Sequence, residues 1–449
     1  MSLQRVLVAN RGEIALRIIR SCHALGLDTV LAASSIDRES LPARMAGRVV
    51  CIGPGEAGKS YLSIPALMAT AQGTGCDALH PGYGFLSESE DLAQACADHG
   101  IAFIGPTPAQ ILAMGNKLQA RKLAVDCGLP ILAGSARVAS VDEALRAAAQ
   151  VGYPVMLKAA AGGGGRGMKI AQDDGALPEL FTAASNEARA AFGDETLYLE
   201  RYVRNARHVE VQVLGDGQGR VIHLGERDCS VQRRHQKLVE ESPAPNLPQA
   251  LREAIHAAAL ALTSSMDYRS AGTVEFLVDA DAGEFFFLEM NTRIQVEHPV
   301  TEMVTGVDLV EQQLRIAAGE GLRLQQSDVS LRGHSIECRV NAEDPDRNFF
   351  PSPGLITTWD VPQGEGIRLD THCEPGYRVP PHYDSLLGKL IVHGRSRDDA
   401  LARMRSALAA FRVEGVRTTV PFLRRVIDDE AFATGAVSTR LLSRLLPGT

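Results

Sequence analysis

The sequence predicts an α/β protein whose N-terminal part is built on a parallel sheet and whose last third is α+β. Through about the first 115 residues, short apolar segments alternate with helical patterns, which is the rhythm of βαβ units. From about residue 333, strand patterns broken by Pro and Gly turns come first, and helices rich in Ala, Leu and Arg follow. The length of 449 residues is too great for one simple core and predicts about two to four domains.

The elements of the first 115 residues define the predicted parallel sheet. Strands are expected at 5–9, 28–34, 48–52, 76–79 and 102–104, with helices between them. The first of these helices spans 13–25 and ends at Gly26. Because helices connect the strands, the strands are expected to run parallel and to be covered by helices on both faces.

A linker-like stretch at 106–108 precedes a second segment, 116–330, which includes a smaller α/β unit at about 131–203. The predicted elements of the segment are helices at 119–127, 141–150, 177–192 and 249–266, a strand from 153 into a glycine run, and two hairpins, 209–214 with 221–224 and 273–278 with 284–290.

The composition excludes several classes of protein. A formal net charge of −8 argues against a nucleic-acid partner, since nucleic-acid-binding domains are usually basic. No apolar run approaches the roughly 20 residues that span a bilayer, and the N-terminus lacks the pattern of a signal peptide. The eight cysteines are scattered without a Cys-x-x-Cys pair, which predicts neither a zinc site nor disulfides. A cytoplasmic protein without a membrane partner is expected.

One phosphate-loop pattern is interpreted as coincidental. Gly53-Pro-Gly-Glu-Ala-Gly-Lys-Ser60 matches the P-loop letter for letter, but a P-loop needs a helix that starts at its Lys-Ser pair. Pro65 would lie inside that helix and break it. Ser63 instead predicts the N-cap of a helix that begins immediately after it.

A second glycine-rich loop is predicted to bind phosphates. Gly162-Gly-Gly-Gly-Arg-Gly167 fits the dinucleotide pattern, which requires a following helix, but Met168-Lys-Ile-Ala171 has the pattern of a strand. A mobile hairpin that closes over phosphates through backbone N–H groups is therefore expected. Four consecutive glycines are entropically costly, which favours close approach to a ligand over a plain solvent loop. Lys158, on the preceding strand, is expected to reach the same phosphates.

A cluster of oxygen ligands is predicted on the second hairpin. A turn centred near Asp281 would place Glu289 almost opposite Thr273, on the same face as Glu275, with Asn291 next on that face. Two carboxylates and an amide suit Mg²⁺, which prefers a few protein oxygens together with substrate phosphates. The apolar residues around them argue against a merely solvated acidic face.

The stretch from Glu289 to Glu302 is the most informative of the chain, because its polar groups follow directly on the strongly apolar strand pattern 285–288. Arg293, Gln295 and Glu297 alternate with two apolar residues, which places a guanidinium, an amide and a carboxylate on one side if the segment is extended. An anion held by the guanidinium with a carboxylate beside it is an arrangement for general-base catalysis. The cationic run 232–237 has apolar neighbours and is predicted to be a covered loop rather than a solvated one.

Long motifs follow one another along the chain: Ala9-Asn-Arg-Gly-Glu-Ile14, His80-Pro-Gly-Tyr-Gly-Phe-Leu-Ser-Glu88, Met114-Gly-Asn-Lys117, Lys158 with the glycine run, His208-Val-Glu-Val-Gln212, Glu226-Arg-Asp-Cys-Ser-Val-Gln-Arg-Arg-His-Gln-Lys237, the 289–302 stretch, Glu337-Cys-Arg-Val-Asn-Ala-Glu343 and Tyr383-Asp-Ser385. In these motifs the chain closely resembles biotin carboxylase, an ATP-grasp enzyme of the biotin-dependent carboxylases, over nearly its full length. The resemblance implies a Rossmann-like domain at 1–115, an ATP-grasp domain at 116–330 with a mobile glycine-rich lid at about 131–203, and a C-terminal biotin carboxylase domain at 331–449.

The resemblance also implies roles for the matching residues. ATP phosphates are expected at Lys117, Lys158, Gly162, Gly163, Gly164, Gly165, Gly167 and Met168. Adenine and ribose are expected at Glu200, Arg201, Val203, His208, Gln232, His235 and Leu277. Mg²⁺, for which Mn²⁺ can substitute, is expected at Glu275, Glu289 and Asn291. Bicarbonate is expected at Lys237, Arg293, Gln295 and Val296, with Glu297 as its base, and biotin at Arg339, which stabilises the enolate, and near Tyr83 and Gly84.

The implied reaction has two halves. Deprotonated bicarbonate attacks the γ-phosphate of ATP to give carboxyphosphate, a step that depends on positioning and charge neutralisation. Carboxyphosphate breaks down to CO₂ and phosphate, and biotin, deprotonated on its ureido nitrogen, captures the CO₂. The chain contains no Ala-Met-Lys-Met biotinylation sequence, so it is expected to carry no biotin itself. Either it is a separate subunit that acts on a biotin carboxyl carrier protein, with a carboxyltransferase as a further partner, or it is a domain of a larger carboxylase. A homodimer is also expected.

Several final acceptors are compatible with the resemblance. Acetyl-CoA, as in the acetyl-CoA carboxylase of fatty acid synthesis, is the default expectation; propionyl-CoA, methylcrotonyl-CoA, geranyl-CoA, pyruvate, 2-oxoglutarate and urea are the alternatives. Another ATP-grasp ligase and a non-catalytic nucleotide-binding regulator are the competing functions. Intact acidic and basic residues at the site argue against the regulator.

Overall fold

The N-terminal unit is a parallel sheet, as predicted. The computed structural model of the protein describes residues 3–159 and 168–446. Five strands pair in the order β3-β2-β1-β4-β5, all parallel. The elements are β1 (Arg5–Val8), α1 (Gly12–Ala24), β2 (Asp28–Ser34), α2 (Leu41–Met45), β3 (Arg48–Gly53), α3 (Ile64–Thr74), β4 (Ala78–His80), α4 (Glu90–Asp98) and β5 (Ala102–Phe103). Val6, Leu7 and Val8 are all fully buried, because helices cover both faces of the sheet.

The rejected P-loop adopts the conformation that its proline predicts. The Lys-Ser pair is followed by a turn and not by a helix, since Ala57–Lys59 forms only one turn of 3-10 helix. Helix α3 starts at Ile64, where the side chain of Ser63 accepts a hydrogen bond from the N–H of Ala66. Pro65 lies in the first turn of α3, where no backbone donor is needed.

The smaller α/β unit is a three-stranded antiparallel sheet covered by helices. Two helices, α5 (Pro108–Gly115) and α6 (Lys117–Asp126), lead to it. Its elements are α7 (Val141–Val151), β6 (Val155–Ala159), β7 (Lys169–Ala171), α8 (Leu177–Phe192) and β8 (Leu197–Arg201), with the strand order β7-β6-β8. A strand therefore follows the glycine-rich loop, as predicted, whereas the loop itself, Gly162–Gly167, lies outside the described residues.

An eight-stranded antiparallel sheet forms the centre of the molecule. Its strand order is β13-β12-β9-β10-β11-β14-β21-β19. The elements of its first half are β9 (Ala206–Asp216), β10 (Val221–Arg233), β11 (Gln236–Ser242), α9 (Gln249–Ser264), β12 (Arg269–Asp279), β13 (Glu284–Asn291), α10 (His298–Thr305) and α11 (Leu309–Ala317).

The sheet continues without a break into the last third of the chain, because β11 pairs with β14. The elements there are β14 (His334–Asn341), β15 (Glu343–Asp344), β16 (Phe350–Pro351), β17 (Gly354–Leu355), β18 (Thr358–Asp360), β19 (Ile367–Thr371), β20 (Arg378–Val379), β21 (Leu386–Gly394), α12 (Arg397–Ala410), β22 (Arg412–Glu414), α13 (Val420–Asp428), α14 (Glu430–Ala433) and α15 (Leu441–Leu445). Helices α12 and α13 pack on β14 and β21 through buried apolar side chains, as expected of an α+β arrangement.

Candidate active site

One large cleft gathers the predicted site residues. Its volume is about 1380 Å³, and its walls come from the parallel-sheet unit, the small α/β unit and the central sheet. Every predicted site residue within the described ranges lines it: Tyr83, Gly84, Lys117, Lys158, Met168, Glu200, Arg201, Val203, His208, Gln232, His235, Lys237, Glu275, Leu277, Glu289, Asn291, Arg293, Gln295, Val296, Glu297 and Arg339. Gly162, Gly163, Gly164, Gly165 and Gly167 lie outside the described residues.

The register of the β12–β13 hairpin differs from the prediction. Glu289 pairs with Glu275 and not with Thr273, which faces Asn291 instead. The turn between β12 and β13 is one residue longer than a turn centred on Asp281 would be, because Asp279 pairs with Glu284. A β-bulge then shifts the register again between Glu275 and the next residue. The predicted common face survives, because two register shifts of one residue restore the alternation.

Both carboxylate oxygens of Glu275 have polar partners. Its Oε1 accepts hydrogen bonds from Lys237 Nζ at 3.0 Å, Asn291 Nδ2 at 2.8 Å and Gln295 Nε2 at 3.3 Å. Its Oε2 lies 3.1 Å from His208 Nε2. Burial raises the pKa of this carboxyl, but Lys237 and His208 outweigh burial and hold the pKa below its usual range. Glu275 is therefore ionised at neutral pH.

The side chain of Glu289, directly opposite, makes no hydrogen bond or ion pair with any residue that the structure describes. Partial withdrawal from solvent, followed by repulsion from Glu275, raises its pKa. Two carboxylates side by side, one of them without a direct ion pair among the described residues, and the Asn291 amide on the same face form a set of hard oxygen donors. These residues fit Mg²⁺, whose charge would remove the repulsion between the two acids.

Three buried carboxylates converge on the ammonium of Lys237. Its Nζ lies 2.5 Å from Glu210, 3.0 Å from Glu275 and 2.7 Å from Glu297. Burial alone would lower the pKa of Lys237, but the surrounding carboxylates raise it well above its ordinary value. Lys237 is thus a permanent cation at the point where Glu275 and Glu297 approach each other.

Glu297 bridges the two cations of the site. One oxygen accepts from Lys237 and the other lies 2.9 Å from Arg339 Nη2, and the side chain is fully buried. Burial raises the pKa of Glu297, yet Lys237 and Arg339 offset it and leave the pKa below its ordinary value. Strand β11 also brings Glu240, whose Oε1 lies 2.6 Å from Arg339 Nε. Burial, only partly countered by Arg339, raises the pKa of Glu240 to about 7.

The loop after β13 arranges its polar side chains around Arg293. The guanidinium donates to Gln295 Oε1 at 2.9 Å and to Asn291 Oδ1 at 3.0 Å. Its Nε pairs with Glu88 of the parallel-sheet unit at 2.9 Å. Ile294 is fully buried beneath the loop, as the predicted alternation of polar and apolar residues requires. The loop thus brings a guanidinium and an amide to the cleft beside Glu297.

The other end of the cleft is apolar with polar edges. Val203 is buried beside Leu277, and Phe286 packs with them. Glu200 is bound by two cations: Arg121 Nη1 lies 2.9 Å from its Oε1, and Lys158 Nζ forms an ion pair with its Oε2. An apolar slot with a carboxylate at its rim suits a purine ring with an exocyclic amino group.

The cationic run 232–237 is only partly the covered loop that its neighbours predicted. It forms the tight turn between β10 and β11, with Gln232 paired to Lys237. Arg234 and His235 at the tip are exposed and have positive φ angles of 47° and 69°. A two-residue hairpin turn requires such angles, so the tip projects into the cleft whereas its base is covered.

Sequence reasoning assigned no role to three buried polar residues of the site. Arg227, fully buried, donates to Glu210 Oε1 at 2.7 Å and so fixes the carboxylate that holds Lys237. Glu240 fixes Arg339 in the same way. The signal for Glu210 was available: in the run from His208 to Gln212 the polar residues alternate with valines on one buried strand.

Cys229 is a buried structural residue. Its thiol is buried, and burial raises its pKa well above the ordinary value. A thiol with a raised pKa is a poor nucleophile.

None of the described helices is long and apolar enough to cross a membrane.

Three family models match the chain in succession. Residues 2–111 match the biotin carboxylase N-terminal domain, residues 116–325 the ATP-binding domain of the carbamoyl-phosphate synthase L chain, and residues 337–444 the biotin carboxylase C-terminal domain. A biotin carboxylase of Nostoc sp. is 50% identical over 446 residues, which cover 99% of this chain and 100% of the relative. The chloroplastic biotin carboxylase of Arabidopsis thaliana is 51% identical over 98% of this chain and 82% of its own.

Solved structures agree with the sequence relatives. The biotin carboxylase domain of a thermophilic 2-oxoglutarate carboxylase bound to bicarbonate superposes with a TM-score of 0.93 at 45% identity, covering 99% of this chain and 98% of its own. The biotin carboxylase–β,γ-ATP complex from Campylobacter jejuni gives 0.93 at 44% identity, covering 99% of both chains. The fold is therefore the ATP-grasp arrangement that the motifs predicted, and the chain belongs to the biotin carboxylase family.

Proposed function

We propose that this chain carboxylates biotin presented by a carrier protein, with ATP and bicarbonate as co-substrates. The observation that carries the proposal is the bridge from Lys237 through Glu297 to Arg339. A single buried carboxylate thereby touches both the cation of the proposed bicarbonate site and the cation of the proposed biotin site. The two half-reactions would share it.

In the first half-reaction, bicarbonate would bind between Arg293, Gln295, the backbone of Val296 and Lys237. Arg293 donates a hydrogen bond to Gln295 Oε1, so the guanidinium and the amide already lie side by side in the cleft. Glu297 would remove the bicarbonate proton, since its low pKa keeps it ionised. A bicarbonate oxygen then bonds to the γ-phosphorus, and the bond from that phosphorus to the bridging oxygen of ADP breaks.

The nucleotide would lie with adenine in the apolar slot and its phosphates towards Lys117, Lys158 and the glycine-rich loop. Lys158 must then exchange some of its contact with Glu200 for a phosphate oxygen. Mg²⁺ at Glu275, Glu289 and Asn291 would neutralise charge on the phosphates. Glu275 is fixed by its neighbours, whereas Glu289 is unpaired among the described residues and so accepts the ion without breaking a bond.

In the second half-reaction, carboxyphosphate would break down to CO₂ and phosphate. The phosphate can take the proton from the ureido nitrogen of biotin, and the nitrogen then bonds to the carbon of CO₂. Arg339 would stabilise the negative oxygen of the biotin enolate, because Glu240 and Glu297 hold its guanidinium towards the cleft. Tyr83 and Gly84 would border the biotin rings.

We further propose the domain boundaries, the partners, the assembly and the location of the protein. Residues 1–115, 116–330 and 331–449 would act as the Rossmann-like, ATP-grasp and C-terminal domains. A biotin carboxyl carrier protein and a carboxyltransferase would complete the reaction, with acetyl-CoA as the final acceptor, a homodimer as the assembly and the cytoplasm as the location. The homodimer is supported by a relative, the Hydrogenobacter thermophilus 2-oxoglutarate carboxylase, whose biotin carboxylase domain forms a dimer in complex with MgADP and bicarbonate.

The test is ATP hydrolysis by the purified chain with and without bicarbonate and free biotin. Hydrolysis that requires bicarbonate and rises with biotin is expected. Hydrolysis that is indifferent to biotin would contradict the proposal and favour another ATP-grasp ligase. Binding of ATP without turnover under all conditions would favour a nucleotide-binding regulator.

A further inference from the structure

A fully buried lysine, Lys389, connects the two proposed substrate sites. It lies on β21 in the central sheet, with its side chain 0% exposed. Its ammonium donates to the carbonyl of Val296 at 2.9 Å and pairs with Glu13 at 3.0 Å. The catalytic steps above do not use Lys389, and neither the motifs nor the composition assigned it a role.

The contacts of Lys389 come from three separate parts of the chain. Glu13 is in the first turn of α1, in the parallel-sheet unit, and is 4% exposed. Val296 is in the loop that carries the proposed bicarbonate ligands. Asp370, on β19, lies 3.9 Å away and provides a second carboxylate. A buried ammonium without such partners would be strongly unfavourable, so the three parts are held to one another by its charge.

Glu13 extends the connection to Tyr83. The same oxygen, Oε1, accepts from Lys389 and from the hydroxyl of Tyr83. The ammonium also lies over the Tyr83 ring, 6.0 Å from its centroid. The ion pair between Lys389 and Glu13 therefore fixes Tyr83 twice: Glu13 binds its hydroxyl, and Lys389 lies over its ring.

We propose that Lys389 and Glu13 form a positioning pair that sets the distance between the bicarbonate loop, at Val296, and the biotin wall, at Tyr83. The inference rests on the proposed function. CO₂ released from carboxyphosphate must meet the biotin nitrogen before it escapes, so the separation of the two sites is a quantity that the enzyme has to control. Neither Lys389 nor Glu13 needs to touch a substrate for this role.

The pair is tested with Lys389→Met, which removes the charge and both hydrogen bonds from a side chain of similar length. This single substitution leaves Glu13 without its ammonium, so the double variant Glu13→Gln/Lys389→Met is measured beside it. Leu390→Ala is the matched control, because Leu390 is buried on the same strand but packs into the apolar core of the last third. Michaelis constants for bicarbonate, free biotin and ATP, together with thermal stability, are measured for each.

Both lysine variants are expected to raise the Michaelis constants for bicarbonate and biotin about tenfold or more, while the constant for ATP stays within about twofold. The double variant is expected to recover thermal stability without recovering these constants. Leu390→Ala is expected to lose stability and keep all three constants.

Two results would overturn the inference alone: wild-type Michaelis constants in the folded double variant, or the same change of the constants in Leu390→Ala. The proposed function itself fails if the wild-type chain does not hydrolyse ATP in a bicarbonate-dependent, biotin-stimulated reaction. The two failures are distinguishable because the second appears in the wild type.

Discussion

Glu275 and Glu289 face each other directly across the antiparallel pair β12–β13, with Glu275 fully engaged and Glu289 unpaired among the described residues. Like charges in opposite positions on neighbouring strands destabilise a sheet. The pair therefore destabilises the sheet locally, and a divalent cation bound between the two carboxylates would remove the repulsion.

Glu289→Gln is expected to weaken Mg²⁺ activation about tenfold or more without lowering the stability of the metal-free protein. The substitution removes a metal ligand and also the repulsion from Glu275, so the metal-free fold should gain up to about 1 kcal/mol. Thermal unfolding with EDTA and with excess Mg²⁺ measures both effects, because a bound ligand stabilises the folded state. Glu275→Gln is the contrast: it leaves Lys237 and His208 short of a partner and should lower metal-free stability. Equal behaviour of the two variants would contradict the assignment.

Glu297→Gln is expected to reduce bicarbonate-dependent ATP hydrolysis by about a hundredfold or more, which is the usual contribution of a general base. The glutamine amide cannot take the proton, and its single carbonyl oxygen is the only acceptor left for Lys237 and Arg339. ATP affinity, measured by titration calorimetry, should remain. Glu311→Gln, on α11 and paired with Arg315 at the surface, is the matched control and should have normal turnover. Near-normal turnover of Glu297→Gln would refute the base assignment.

Arg339→Ala is expected to impair carboxylation of biotin more than ATP binding. The substitution also leaves the buried Glu240 without its cation. Burial beside a single guanidinium already raises the pKa of Glu240 to about 7. Stability should therefore fall, and adding Glu240→Gln should restore much of it without restoring carboxylation. Carboxybiotin formation and urea denaturation separate the two effects. Restoration of both together would assign Arg339 a purely structural role.

Much of the site could be predicted from the sequence because its residues follow each other on a few strands. Alternation places Glu275, Glu289 and Asn291 on one face because the observed pairing differs from the predicted one by two residues, a shift that preserves the face. The bulge that decides the register has no marker in the sequence, since no glycine accompanies it. The connection from Lys389 to Glu13 was equally hidden, because 376 positions of chain separate two residues that only the tertiary fold brings to 3.0 Å.

The P-loop-like segment 53–60 is predicted not to bind ATP. Lys59 is exposed and pairs with Glu56 at 3.5 Å, and no helix follows it to aim backbone donors at a phosphate. Lys59→Ala should therefore leave the affinity for ATP unchanged. Lys117→Ala, the comparison, should weaken it about tenfold or more, because an ammonium in the cleft is lost. Loss of ATP affinity in Lys59→Ala would reopen the P-loop interpretation.

Acid stability should depend on Glu226, which lies outside the catalytic cleft at the junction of β10 and α9. Burial raises the pKa of its carboxyl, but a hydrogen bond from His256 Nε2 at 2.7 Å and the charge of Arg252 overcome burial and lower the pKa to about 2. A folded-state pKa below the ordinary 4.5 stabilises the protein above about pH 4.5. That stability is lost as the pH falls from about 4.5 towards 2 and amounts to about 3 kcal/mol.

Glu226→Gln should therefore lower the free energy of unfolding at pH 7 and flatten its decline between pH 5 and pH 2. Urea unfolding at a series of pH values measures the slope. Glu253→Gln is the matched control: Glu253 is an exposed glutamate on α9, the helix that supplies Arg252 and His256, and its side chain has no buried partner to lose. If the pH dependence of Glu226→Gln matched that of the wild type, the proton taken up on acid unfolding would belong to another carboxylate. The buried Glu241, held by His334 and Arg397, would be the next group to replace.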